Sequence, residues 1–185
     1  GVYITFRILD FADLTVDGSL ATGGAVAVML IQGGMHPALS LVFAFLAGMA
    51  AGMVTGLLHT ALGIPGILAS ILTQISLYSV NLGIMGKSNQ SIGIAQQNLV
   101  ASLRYVTASN RIVYFIKFIL FCLVIVALMY WLFGTELGAS IRATGCNPQM
   151  ARAQGINTNF MKVIALMISN GLVGLCGGIY AQYQG

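Results

Sequence analysis

The sequence predicts an all-α membrane protein, a polytopic transmembrane helix bundle with about five spans, each needing ~20 apolar residues to cross the hydrocarbon core. Three observations carry this expectation. Charged residues make up 6% of the chain and hydrophobic ones 58%, whereas soluble domains carry roughly 25% charged residues. Long apolar runs recur along the sequence, separated by short polar stretches. The 23 glycines include Gly48, Gly52 and Gly56, spaced by four so that they share one helix face and let a neighbouring backbone approach closely.

The spans are taken in order. The first, near 11–32, starts among acids and carries Gly18, Gly23 and Gly24, so it is expected to bend or to begin partway into the membrane. Asp13 and Asp17 lie four apart on one face, where like charges repel mildly, although a helix N-terminus favours them. They read either as an interfacial acidic start or as polar lining of a pathway. The second span, 36–59, has Pro37 placed for a first helical turn. His36 and His59 stand at its two ends, too far apart to share a metal, and read as interface residues.

The third span, 65–86, carries Thr73, Gln74, Ser76 and Asn81. Such groups bond between helices more often than they touch a solute. Thr73 and Asn81 join Asp13 and Asp17 as pathway candidates. The fourth, 112–133, qualifies easily by length and apolar content, with Lys117 close enough to one end to snorkel. The fifth, 160–181, is weaker in hydrophobicity and rich in small residues, with Gly174 and Gly178 repeating the packing spacing.

Two polar loops remain, 87–111 and 134–159. Lys87, Arg104 and Arg111 flank one side of the fourth span, and Arg142, Arg152 and Lys162 the other. This balance leaves orientation undecided by positive charge. Arg104 and Tyr105 read as contacts to a binding protein or to lipid headgroups. The net charge of +4 comes from scattered residues with no basic patch, which argues against nucleic acid. Three cysteines are an odd set for a disulfide framework; Cys122 and Cys176 sit in apolar runs and Cys146 in a polar one. No phosphate-binding loop, catalytic triad or metal-ligand cluster appears in the sequence. The chain is therefore expected to be neither an enzyme nor a cofactor protein. It shows no cleavable signal and begins within apolar sequence, so it reads as an internal piece of a longer membrane protein.

The second loop holds "RATGCNPQMARAQGIN", Arg142 to Asn157. Asn147 suits an N-cap, Pro148 the first helical position, and Gly155 a left-handed stop. The spacing predicts a helix of about two turns, too short to persist alone. It must rest on something. Met150, Ala151 and Ala153 offer apolar contacts and Arg152 a bidentate charged one. The alternative is a solvated turn with an anchoring arginine.

The stretch "SIRATGCNPQMARAQGINTNFMKVIALMISNGLVGLCGGIYAQ" resembles the signature region of ABC importer permeases of the branched-chain amino-acid and ribose type. Arg142, Ala143, Gly145, Asn147, Ala151, Gly155, Ile156 and Asn157 fall on that family's loop motif. "DFADLTVDGSLATGGAVAV" and "LGIPGILASILTQISLYSVNLGIMG" are similar to two further family segments. "FRILDFADLTVDGS" and "LYSVNLGIMG" look like the subgroup paired with tryptophan- or tyrosine-type binding proteins. Asp17 departs from the glycine usual in the ribose group.

The resemblance implies a bacterial inner-membrane permease, in contact with lipid, whose 147–155 helix docks on a cytoplasmic ATPase. That partner, not this chain, would bind ATP and Mg. The coupling residues would be Arg142, Gly145, Asn147, Pro148, Ala151, Arg152 and Gly155. It places 134–159 in the cytoplasm and 87–111 outside, facing a substrate-binding protein, and implies a second permease copy. The solute would be an amino acid, with a ribose-type sugar as the alternative. A secondary transporter is the rival class, and would need acids at mid-depth and an inverted repeat.

Overall fold

A computed structural model describes residues 1–86 and 111–184. Its regular elements are all helical. A π-helical turn, Ile4–Ile8, precedes α1 (Thr15–Gln32), α2 (Pro37–Thr60) and α3 (Gly66–Met85). After the loop expected over 87–111, which but for Arg111 lies outside the described residues, come α4 (Arg111–Gly134), α5 (Glu136–Cys146), α6 (Pro148–Ala153) and α7 (Thr158–Gln184).

Among the described residues four helices, α1, α2, α3 and α7, are long and apolar enough to cross a membrane, and the bent pair α4–α5 brings the number to five if it counts as one span. α7 forms the centre, with α1 and α2 packed along it and α3 against α1. α2 and α7 run antiparallel, because Gly56 meets Val163 near one end and Gly48 meets Asn170 and Gly171 further in. The seam is built from small residues. A Cβ built on Gly52 would fall on the Leu166 carbonyl, on Gly174 2.5 Å from the Ala44 oxygen, and on Gly178 3.0 Å from the Ala44 Cβ. α1 closes on the other side of α7, where Gly23 lies against Gly174 and Gly177 against Leu20. Without water to drive apolar surfaces together inside a bilayer, such close backbone approach is a main source of helix association.

Two boundaries differ from the sequence expectation. The first span was placed from residue 11, yet α1 starts at Thr15. Asp10 adopts a left-handed conformation, φ 51°, which a short polar side chain tolerates better than most, and residues 11–14 run without helix. The stretch 134–159 is not a simple loop with one short helix. It also contains α5, which turns 75° from the end of α4. The turn is tight: a Cβ on Gly138 would sit 2.6 Å from the Leu132 carbonyl oxygen, and Thr135 Oγ1 donates to that same oxygen at 2.6 Å. α5 then buries Gly138, Ile141 and Thr144 on one face, with Ile141 in a cluster of Leu9, Phe11, Ala165 and Leu166. The described side chains of α4 from Ile119 to Leu128 are almost all exposed, as are Tyr130 and Trp131 at its end. An apolar surface of this kind suits lipid or another protein.

Candidate functional site

Two polar groupings among the described residues bear on the residues singled out from the sequence. The first is the α5–α6 elbow. Asn147 is extended, φ −152° and ψ 99°, and its Oδ1 accepts from the backbone N–H groups of Gln149 and Met150, both at 3.1 Å. These are orphan donors of the first helical turn. Pro148 fills the first position of α6. The helix stops through a paired motif: Ile156 N–H reaches the Ala151 carbonyl and Gly155 N–H the Arg152 carbonyl, each at 3.0 Å. Gly155 makes this possible at φ 83°, the left-handed C-terminal stop.

The residues named for this elbow divide by direction. Gly145 and Ala151 face inward. A Cβ on Gly145 would fall on the Ile8 carbonyl, and Ala151 is buried. Arg142, Asn147, Pro148, Arg152 and Gly155 are exposed, and Met150 stands out at 60% exposure. Arg152 turns back toward its own chain, where its Nε donates to Thr158 Oγ1 at 2.8 Å. It braces the joint between α6 and α7 while the guanidinium end stays at the surface.

The second place is the start of α1. Asp13, half-buried, accepts from Thr15 N–H at 2.9 Å through one oxygen and from Asn170 Nδ2 at 2.7 Å through the other. Asn170 also donates to the Leu166 carbonyl at 3.1 Å and accepts from Ser19 Oγ at 2.6 Å. The Thr15 and Thr55 hydroxyls share a bond of 2.9 Å. Asn170, Ser19, Thr15 and Thr55 are all fully buried.

The four pathway candidates are not brought together in one group. Asp17 is exposed in the first turn of α1. Thr73 is buried and spends its hydroxyl on the Ala69 carbonyl of its own helix, at 3.0 Å. Asn81 lies eight residues further along α3, about 12 Å at 1.5 Å per residue, buried with its Oδ1 unpartnered. Asn170 was not singled out from the sequence. Its signal was a lone amide in the small-residue run "ISNGLVG".

His59 and Lys162 join the two faces of the elbow end. The His59 Nδ1 lies 2.9 Å from the Ile64 carbonyl, which fixes it as the donor and leaves Nε2 to accept from Lys162 Nζ at 3.4 Å. The Phe11 ring meets the imidazole edge-on at 5.1 Å. No group of three or more His, Cys, Asp or Glu side chains suited to a metal occurs among the described residues.

The sequence model of the family described as branched-chain amino acid transport system / permease component matches residues 1–185. The chain belongs to this permease family. It is 37% identical over 185 residues, all of this chain and 60% of the relative, to a tyrosine transport system permease protein of Clostridioides difficile. It is 36% identical, over all of this chain and 63% of the relative, to an uncharacterized protein of Rickettsia prowazekii. An autoinducer 2 import system permease protein of Yersinia enterocolitica is 36% identical over 171 residues, 91% of this chain and 45% of the relative. The permease chain thus spans roughly half to two thirds of the length of these relatives. No solved structure matches it. Membership in this family and several apolar helices make it a multi-pass protein of the bacterial inner membrane.

Proposed function

We propose that the chain is the core of the membrane-spanning subunit of an ATP-driven ABC importer for an amino acid. The observation that carries this reading is α6: a six-residue helix capped at both ends and presenting Met150 outward. A helix this short does not hold its shape through propensity. Its caps, its buried Ala151 and the Arg152 brace keep it rigid, which is what a lever for a partner needs. The partner would be an ABC ATPase, which would bind ATP and Mg.

Gly66, at the start of α3, meets Phe11, whose cluster includes Ile141 of α5, so α3 begins near the elbow and runs away from it. This suits 134–159 and 87–111 on opposite sides; the family resemblance would make the first cytoplasmic and the second extracytoplasmic, where a substrate-binding protein would dock. A second permease copy would complete the translocation unit. Transport then requires two packings of one bundle and no bond-making in this chain. The amino-acid reading rests on the match to a tyrosine permease across the whole chain. The autoinducer 2 relative favours a sugar-like solute as the second reading.

The test is reconstitution of the full-length permease with its ATPase and binding protein in vesicles, loaded with ATP on the α6 side. ATP-dependent uptake of labelled tyrosine, lost in Met150→Glu, is the expected outcome. Uptake of ribose but not tyrosine selects the sugar reading. Uptake of neither, with no ATPase retained by the permease, overturns the importer.

A further inference from the structure

The interruption between the π-helical turn and α1 lies inside the bundle. Its partner Asn170 stands twelve residues beyond Thr158, the first residue of α7, about 18 Å along the axis at 1.5 Å per residue. Irregular backbone at that depth persists only where protein encloses it. Here apolar packing encloses Phe11 and polar groups enclose Asp13. Asp13 is tied to α7 through Asn170, the first turn of α1 through Ser19 to the same amide, and Thr15 to α2 through Thr55. Gly52 presses on the back of Asn170, where a Cβ would lie 3.0 Å from the Asn170 Cβ. One buried amide therefore sits where α1, α2 and α7 meet.

Phe11 anchors the first half of the interruption in the apolar cluster of Leu9, Ile141 and Leu166. The part with little other hold is 12–14, where Ala12 and Leu14 are exposed and Asp13 is half-buried. Hydrogen bonds to a segment of this kind can be exchanged without opening a void, unlike interdigitated apolar packing. The same α7 that carries Asn170 begins at the elbow. Asn157 Oδ1 caps it by accepting from Phe160 N–H at 3.2 Å, and Arg152 clamps Thr158 at 2.8 Å. A displacement of α6 is thus delivered to α7 at its first residue.

We propose that Asn170 is a positioning residue that latches residues 12–14 onto α7 through Asp13, and that driving α6 opens this latch, making the start of α1 the moving gate of the bundle. The proposal rests on the importer reading for its source of motion. A purely structural network would keep the same geometry whatever the nucleotide state; a latch would not.

The experiment uses the full-length permease with every cysteine replaced by serine, including Cys122, Cys146 and Cys176, carrying Thr15→Cys and Thr55→Cys. It is purified with its ATPase in lipid nanodiscs and oxidised with copper phenanthroline, nucleotide-free and after trapping with ATP and vanadate. The expected result is a disulfide whose rate of formation differs at least tenfold between the two states. Asn170→Leu is expected to abolish that difference, and the exchange Asp13→Asn with Asn170→Asp to restore it in part. Equal rates in a complex that hydrolyses ATP overturn the latch and leave the importer standing. A disulfide that forms in neither state also overturns it, because the Thr15–Thr55 contact is then not populated. Failure to retain an ATPase at all overturns the importer reading instead.

Discussion

Replacing Gly174 by alanine tests the packing of the bundle directly. The added Cβ would stand 2.5 Å from the Ala44 carbonyl oxygen, 3.0 Å from the Gly48 Cα and 3.2 Å from the Gly48 nitrogen. All three are backbone atoms, so no rotamer can relieve the contact. Ordinary contact begins near 3.4 Å, which requires α2 and α7 to part by about 0.9 Å (3.4 − 2.5). Moving α7 the other way is blocked, since Gly23 of α1 already abuts Gly174. A gap of 0.5–1 Å forfeits roughly a quarter to a half of the dispersion well for the atoms involved, and overpacking of this kind costs about 1–3 kcal/mol. For a chain of this size that corresponds to a fall in Tm of about 2–12 °C. The comparison is Gly83→Ala, where the Cβ would meet nothing within 4 Å. Thermal unfolding of both variants in lipid nanodiscs, followed by fluorescence, reads the difference. A Gly174→Ala protein melting within about 1 °C of Gly83→Ala would refute the close-approach argument.

Three further outcomes are expected. Asn147→Ala leaves the Gln149 and Met150 N–H groups without their acceptor; it should cost about 1 kcal/mol and reduce the fraction of ATPase retained by immobilised permease. Gly155→Val meets open space but must hold φ 83°, a strain of about 1–2 kcal/mol, so its ATPase retention should fall while Gly155→Asn stays near the parent. Arg152→Met and Thr158→Val each remove the one bond between them, worth about 0.5–1.5 kcal/mol. Their double variant should melt no lower than the worse single, and an additive loss would show that the two act separately.

Much of this arrangement was legible in the sequence because it depends on local rules. Run lengths near twenty residues gave an all-helical chain with four or five long apolar helices. Pro37 marked the start of α2, and Asn147, Pro148 and Gly155 wrote out α6 with its caps. What stayed hidden depends on distant partners. α5 carries two glycines and few apolar residues, so its periodicity is faint. It is helical because Gly138 lets it fold back on α4 and Ile141 reaches the cluster around Leu166. Nothing in "DFADL" announces a left-handed Asp10, and the acceptor role of Asp13 depends on an amide 157 residues away. Asp13 and Asp17 looked equivalent by spacing; tertiary contacts turned one inward and left the other at the surface.

That separation of 157 residues also has a meaning in time. A ribosome adding ~5–20 residues per second adds Asp13 about 8–30 s before it adds Asn170. During that interval Asp13 and Ser19 have no amide to bond, and the glycine face of α2 has no helix to lie on. Of the described helices, α7 at the centre of the bundle is the last to be made. The early helices must therefore wait in the membrane, unsealed, until α7 arrives between them.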